Sequence, residues 1–270
     1  MTPLVSIVIP AFNAAAFLSE TLESALSQTY PNIEIIVVDD GSTDNTRDIV
    51  ARCATSAVQY LHQSNAGVSA ARNAGFRHSH GEFVCFMDAD DWFYPENIAA
   101  KVSAMQHHAS AALVHAAVEV TDGALQPTGH VMRGKSGKVL SDLLQYAPPA
   151  IPCPSNALIR RSALEQVGLF DTQLSTSADY EMWLRLAGTF DVIALPEVLV
   201  KYRVHAAGMF ANLALQVHDM EYIFKQHTAL LATPEGRTLR SKFYLSVGKA
   251  ALQRKQWKLA AITLNKWMWS

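Results

Sequence analysis

Four apolar runs punctuate the first third of the chain: Leu4–Ile9, Ile33–Val38, Val58–His62 and Phe83–Met87. Leu4–Ile9, a β-branched run stopped by Pro10, reads as a strand buried on both faces, Ile33–Val38 and Phe83–Met87 as further buried strands, and Val58–His62 as a short strand. Helical segments separate them. Phe17, Leu18, Leu22, Ala25 and Leu26 recur at helical spacing, which predicts a helix over Ala14–Gln28 ending before Tyr30-Pro31. A second helix runs from the Asp44 region to about Ala54, and a third, opened by Ser69, ends near His78. Strands alternating with helices of this length imply right-handed crossovers and a largely parallel sheet covered on both faces.

That topology collects polar residues on one rim, because open parallel sheets present ligand sites beyond the carboxyl ends of their strands. Three clusters fall there: Asp39-Asp40 with Gly41 to Asp44, the turn and helix start from Asn65 to Asn73, and Asp88, Asp90 and Asp91. Asp88 and Asp90 flank Ala89, so a turn at that residue lets two carboxylates converge on one hard divalent cation, which could hold a diphosphate. The plainer reading is that these acids cap a helix beginning at Pro95. Asp91 is the one expected merely to cap.

Beyond Pro95 the pattern predicts a helix to about His108 and a strand over Ala112–Val120. Residues 123–154, with eight Pro and Gly between Pro127 and Pro154, read as an irregular, substrate-shaped segment around a short helix at Ser141–Tyr146. Within it, Gly129 to Ser136 matches the phosphate-loop expression GxxxxGK[ST]. The match lacks a buried strand before it and a helix after Lys135, so a P-loop phosphotransferase is a weak alternative. Ser155–Ile159 is expected to be a strand and Arg161–Val167 a helix stopped by Gly168. A further helix is capped by Ser177 or Asp179, with Met182, Trp183 and Leu186 inward. Strands follow at Asp191–Leu195, on the sheet edge, and Val198–Val204, then helices over 212–232 and 237–267. Ala250, Ala251, Trp257, Ala260, Ala261 and Leu264 suggest a tetratricopeptide-like helix pair, which cannot bury its face alone and needs the main domain or a partner.

Half of the 270 residues are apolar and 17% are charged, an ordinary globular profile. No apolar run reaches transmembrane length and no leader-like segment is evident, so the expected location is cytoplasmic. Cys53, Cys85 and Cys153 are too few and too scattered for a disulfide framework or zinc site. Net charge is −2, but the stretch after Glu235 holds eight basic residues and no acidic one, leaving 14 basic against 24 acidic residues up to that point. With Trp257, Trp267 and Trp269, this basic tail suits peripheral contact with an anionic membrane, at the inner face of the plasma membrane, as well as it suits a packed helical cap. No nucleic-acid partner is expected.

Five elements in order resemble the family-two, nucleotide-sugar-dependent glycosyltransferases of GT-A fold: Ser6 to Asn13 (SIVIPAFN), Val37 to Asp44 (VVDDGSTD), Asn65 to Asn73 (NAGVSAARN), Asp88-Ala89-Asp90, and Asp179 to Arg185 (DYEMWLR). The resemblance covers about residues 3–205. It implies a catalytic domain over 1–210, with a nucleotide-binding half to about 110 and an acceptor half beyond, and a helical extension over 211–270. It also implies an inverting transfer from a nucleoside-diphosphate sugar, UDP-linked by expectation, to a hydroxyl of a glycan or lipid-linked saccharide. Asp40 then accepts a hydrogen bond from the base, in a pocket shaped by Pro10, Phe12, Asn13 and Asp39. Arg72 sits over the base or near the phosphates, and Asp88 and Ala89 lie beside the ribose. Asp90 ligates Mn²⁺ or Mg²⁺, with Asp88 close by, and His205, with Arg203 and Lys201, completes the metal or diphosphate site. Asp179 is the implied general base, although Ala178 stands where relatives often carry an acid. Likewise Ala206 follows His205 where relatives often place a serine shortly after. A catalytically silent nucleotide-sugar-binding module is the competing reading.

Overall fold

The computed structural model describes residues 2–53, 55–146, 148–205, 208 and 212–269. Ala54, Ala206 and the 210/211 boundary therefore lie outside the described residues. In chain order the elements are β1 (Val5–Ala11), α1 (Leu18–Leu26), β2 (Ile33–Asp39), α2 (Thr46–Arg52), β3 (Val58–His62), α3 (Val68–His78), β4 (Phe83–Phe86), β5 (Trp92–Phe93), α4 (Asn97–His107), β6 (Ala111–Thr121), β7 (Pro127–Met132) and α5 (Leu140–Leu144). A 3₁₀ turn at Pro154–Asn156 leads to β8 (Leu158–Arg160), α6 (Arg161–Val167), α7 (Ala178–Thr189) and β9 (Asp191–Arg203). The chain closes with α8 (Leu213–Gln226), α9 (Thr228–Leu231), α10 (Pro234–Gln253) and α11 (Trp257–Met268).

One sheet runs through the molecule in the order β3-β2-β1-β4-β8-β6-β9-β5, with β7 paired on β6. The four strands from the apolar runs are parallel, as βαβ crossovers require. Every residue of β1 and β4 is buried, because helices cover both faces. Beyond β4 the sheet is mixed, so the whole is not purely parallel, although its longer ladders are parallel. β8 runs antiparallel to β4 and β6, β9 is parallel to β6, and β5 and β7 are antiparallel to their neighbours. The cause lies in the connections: β7 returns by a hairpin and β8 follows a loop and a 3₁₀ turn, neither of which makes a crossover.

Three local expectations change. Asp191–Leu195 and Val198–Val204 form a single strand, β9, and it is internal rather than at the edge; its pairing skips from Ala194 to Val198, so Pro196, which has no N–H to donate, occupies an irregularity. Ser155–Ile159 begins as a turn, since Ser155 and Asn156 send their side chains into buried hydrogen bonds. The 123–154 segment contains a real strand, β7, and the phosphate-loop match falls across it. No helix begins directly after Lys135, whose ammonium pairs with Asp142 in α5, while Ser136 Oγ accepts from Ala194 N at 2.8 Å.

Two apolar clusters sandwich the sheet. One joins Ile7, Ile9, Leu18, Leu22, Ile98 and Val102. The other runs from Val8, Ile36 and Ala71 through Met182 and Trp183 to Met220, Phe243, Val247 and Ala260. The C-terminal helices therefore share the core that covers one face of the sheet. Gly75 allows the close approach of α3 to β1, because a Cβ there would stand 2.3 Å from Val8 Cγ1. Phe243 has no exposed surface and meets the Tyr146 and Phe224 rings edge-on, at 5.6 and 5.9 Å. Replacing Phe243 with Ala should cost about 3–5 kcal/mol. Because the core is continuous, urea unfolding followed by tryptophan fluorescence and by circular dichroism should shift as one transition. A separate early transition of the C-terminal helices would contradict that continuity.

Candidate active site

The carboxyl ends of β1, β2 and β4 do form one rim, and α3 supplies most of what holds it together. Asp39 is buried at the end of β2; its Oδ1 accepts from Ser42 N at 2.8 Å and its Oδ2 from the Tyr60 hydroxyl at 2.6 Å. Burial opposes its ionisation, but these hydrogen bonds outweigh it and hold the carboxyl below its ordinary value. The Tyr60 phenol is correspondingly pushed up to about 12 by burial and by Asp39. Asp40 is committed to the next loop: Oδ1 accepts from Gln63 Nε2 at 2.7 Å and Ala66 N at 2.9 Å, and Oδ2 from Gly67 N at 2.8 Å. Gly67 has φ of +90°, which aims its N–H at that oxygen at no steric cost. The Ser42 side chain also bonds the Asp39 carboxylate. Pro10 lies within β1, Asn13 Oδ1 accepts from Thr43 N at 2.8 Å, and between them Phe12 stands 52% exposed at the rim.

α3 buries three polar residues, Ser69, Arg72 and Asn73, beside the apolar Ala71, Gly75 and Phe76. Ser69 Oγ donates to Leu174 O at 2.7 Å. Asn73 holds Phe170 from both sides, Nδ2 donating to its carbonyl at 2.8 Å and Oδ1 accepting its N–H at 3.0 Å. Between them, Arg72 Nη2 donates to Asp88 Oδ1 at 2.7 Å, and the guanidinium lies 5.2 Å from the Phe170 ring centroid. Arg72 is thus buried as the partner of Asp88.

The turn after β4 is built on Asp91, which has no exposed surface. Ser155 Oγ donates to Asp91 Oδ2 at 2.5 Å and accepts from Asp88 N at 2.9 Å, and Arg203 N donates to Asp91 Oδ1 at 3.0 Å. Asp91 is therefore a buried post and not a helix cap; α4 begins at Asn97 with Glu96 at its N-cap. Burial, with Asp90 and Asp88 adding to it, raises the Asp91 carboxyl well above its ordinary value. Asp90 is also raised, by burial and then by Asp88. Its Oδ2 lies 2.8 Å from His205 Nε2. Arg203 spends its guanidinium on protein acceptors, Asp90 O at 2.7 Å, Gly123 O at 2.8 Å and Glu20 Oε2 at 2.6 Å, so it braces the turn from below. Lys201 lies over the Trp92 and Tyr94 rings, at 5.0 and 5.6 Å.

Among the described residues no three His, Cys, Asp or Glu side chains cluster tightly enough to form a metal-binding group. The structure brings Asp90 and His205 together and turns Asp88 toward Arg72. The donor chemistry nevertheless fits Mn²⁺ or Mg²⁺. Carboxylate and imidazole are suitable ligands, the Asp88 and Asp90 side chains keep 19% and 31% exposure, and Asp88 acts on Asp90 in the direction a cation would relieve.

Asp179 is the second residue of α7, not its cap. Burial raises its carboxyl; the nearby Arg72 charge and the Tyr180 N–H only partly offset this, and Asp88 adds to the rise. One turn further on, Arg185 is a clamp. It donates to Glu181 Oε1 and Oε2 at 2.8 and 2.7 Å, and to the carbonyls of Val167, Gly168 and Leu169 at 2.7, 2.7 and 2.9 Å. His227 Nε2 lies 3.1 Å from Glu181 Oε1. Sequence reasoning missed Ser155 as the brace of the Asp88 turn and Glu20 as a partner of Arg203. Nothing in their neighbourhoods marks them, since each acts on a residue far along the chain.

The combination of a Rossmann-like parallel half, a mixed second half and carboxylates at the strand ends is the GT-A glycosyltransferase fold. The structure aligns with S. aureus TarS in complex with UDP at a TM-score of 0.65 and 17% identity, over 92% of this chain and 72% of that one. It aligns with the mannosyltransferase PcManGT from Pyrobaculum calidifontis, in complex with GDP-Man and Mn²⁺, at 0.66 and 22% identity, over 98% and 75%. At such identities the likeness concerns the fold. In sequence, the family description "Glycosyl transferase family 2" matches residues 6–168. An uncharacterised glycosyltransferase of Rickettsia prowazekii is 32% identical over 227 residues, 82% of this chain and 70% of that protein. Another, from a Nostoc species, is 31% identical over 225 residues, 80% of this chain and 70% of that protein. The chain belongs to glycosyltransferase family 2 and is a transferase enzyme.

The Arg185 clamp has a testable cost. Replacing Arg185 with Met strands the Glu181 carboxylate, whose side chain is 9% exposed, and should destabilise the protein by about 3 kcal/mol at pH 7. Burial works against the Glu181 charge, but His227 and Arg185 win and hold the carboxyl below its ordinary value. The clamp is therefore fully present at neutral pH and is lost as the pH falls through that lowered value. The gap between the denaturant midpoints of wild type and variant should narrow in acid to the part due to the carbonyl bonds; a gap of unchanged size there would remove Glu181 from the account.

Proposed function

We propose that this enzyme transfers a sugar with inversion from a nucleoside-diphosphate sugar to a hydroxyl of a glycan or lipid-linked saccharide. The observation that carries the reading is Arg72, which pairs with Asp88 at 2.7 Å and whose charge also acts on Asp179, so a base candidate and a metal-side carboxylate flank one buried cation. A UDP-linked donor is the first choice, since one structural neighbour is bound to UDP and in another crystal to UDP-GlcNAc; the GDP-Man complex of the other makes a mannose donor the comparison. Phe12, Pro10 and Asn13 flank the base. Asp40, whose Oδ2 carries the Gly67 N–H, takes the base N–H while fixing the Gly67 loop, and Asp39 shapes the pocket beside it. Asp88 and Ala89 face the ribose.

In the reaction, the Asp179 carboxylate removes the proton of the acceptor hydroxyl. The freed electron pair forms the bond from that oxygen to the anomeric carbon, on the face opposite the diphosphate. The anomeric carbon to phosphate-oxygen bond breaks with its electrons remaining on the nucleoside diphosphate. Asp90 and His205, with Asp88 beside them, would hold Mn²⁺ or Mg²⁺, whose contribution when bound is to neutralise charge on the departing diphosphate. The raised Asp179 carboxyl suits a base, because it binds a proton more tightly than an exposed carboxylate.

Replacing Asp179 with Asn should lower turnover by roughly 10²- to 10⁴-fold and leave UDP binding by calorimetry unchanged. In the wild type the acid limb of turnover should lie above the ordinary carboxylate range, since the base must be deprotonated and its value is raised. Chelation should abolish nucleoside-diphosphate release and Mn²⁺ should restore it. UDP binding without turnover of any nucleotide sugar would support the silent binding module instead.

We also propose that the C-terminal helices rest on an anionic membrane. Trp257, Met268 and Trp269 are 65%, 65% and 85% exposed, and Lys249, Lys255 and Lys258 are exposed among them. No helix among the described residues is long and apolar enough to cross a membrane. Flotation with phosphatidylglycerol vesicles should retain the wild type and lose a Trp257→Ala/Lys258→Ala variant. No retention of the wild type would reject the contact.

A further inference from the structure

We propose that Asp219, on α8 in the C-terminal extension, is a positioning residue for Asp179; this rests on reading Asp179 as the base. Asp219 has no exposed surface, and one of its oxygens, Oδ2, accepts from Ser175 N at 3.1 Å, Thr176 Oγ1 at 3.0 Å and Ser177 N at 3.1 Å. Those donors sit on the three consecutive residues that lead into α7, and Asp179 is the second residue of that helix. The local sequence does not fix this entry, because the N-cap residue Ser177 makes no side-chain capping bond. A carboxylate from a distant helix does so instead, and its charge lies near the positive end of α7.

From the other side, Ser69 Oγ donates to Leu174 O at 2.7 Å, so the segment 174–177 is held between α3 and α8. α3 is the helix whose Arg72 pairs with Asp88. α8 is itself anchored, with Val217, Met220 and Ile223 in the shared core. On Oδ1, the 67%-exposed His218 is the neighbour, at a long 3.5 Å. Burying a carboxylate is a costly way to stabilise a turn. Its geometric effect is to fix the backbone from which the Asp179 side chain projects, by a contact that α7 cannot make for itself.

The test uses the full chain and three variants. Asp219→Ala removes the anion, Asp219→Asn keeps an acceptor oxygen of the same shape, and Thr176→Val removes one donor while leaving Asp219 in place. Hydrogen exchange at the backbone amides of 175–179 should accelerate about tenfold or more in Asp219→Ala. Release of nucleoside diphosphate from UDP-N-acetylglucosamine or GDP-mannose should fall about 10²-fold in kcat with the donor KM unchanged. UDP affinity by calorimetry should not move, and Asp219→Asn and Thr176→Val should show the same changes at smaller size. Combined with Asp179→Asn, Asp219→Ala should add no further loss, because it acts through that residue. Unchanged exchange at 175–179, parallel loss of UDP affinity, or full additivity with Asp179→Asn would overturn the proposal. Should Asp219→Ala fail to fold, the Thr176→Val arm decides by the same readouts. Failure of the base reading shows up separately, as full turnover in Asp179→Asn while Asp219→Ala still loosens the segment.

Discussion

Arg72 carries a full charge into a place almost without water, and the layout of the site follows from where that charge finds partners. Two unit charges about 4 Å apart near a protein surface interact by roughly 4 kcal/mol, so its neighbours cannot be arbitrary. Asp88 supplies one partner at 2.7 Å and the face of Phe170 another. The same charge opposes the rise in the Asp179 carboxyl that burial causes. Arg72 can occupy this position only because Ser69 and Asn73, one helical turn apart on the same face of α3, tie the 170–174 segment to the helix. These polar residues of α3 thus join the parallel half of the sheet to the segment that leads into α7.

The three aspartates after β4 pose the opposite problem, since like charges so close raise one another's proton affinity. The fold answers it by giving each a different surrounding. Asp91 is driven inside and held by Ser155 and the Arg203 backbone, Asp88 is paired with Arg72, and Asp90 is left half-open beside His205. Arg203, under the turn, ties Asp90's carbonyl to Glu20 on α1 and to Gly123 beyond β6. A chain with the same three acids but no such bracing would leave the turn free to relax outward.

The C-terminal helices change status once packing is considered. As sequence they are a basic tail with three tryptophans. In the structure their apolar sides complete the cluster that covers one face of the sheet, and α8 reaches the segment before α7. The basic and aromatic residues that remain outside are those the core did not need.

The amino-acid sequence by itself determined the parallel half of the sheet, the clustering of acids along one rim, and the helix Arg161–Val167 stopped at Gly168, because each follows from local periodicity, turn chemistry and the handedness of βαβ units. It also carried the motifs on which the resemblance to family 2 rests, four of them within the matched residues 6–168. It did not determine the mixed half, where β8 is three residues long and strand direction depends on which neighbour accepts it. Nor could it rank the acids: Asp39 and Asp40 are adjacent and alike as text, as are Asp90 and Asp91. What separates them is which side of the backbone meets Tyr60, the Gly67 loop, Ser155 or His205, residues that lie 21, 27, 64 and 115 positions away. Proton affinity, exposure and role are set by such long-range neighbours, and only the folded chain brings them into contact.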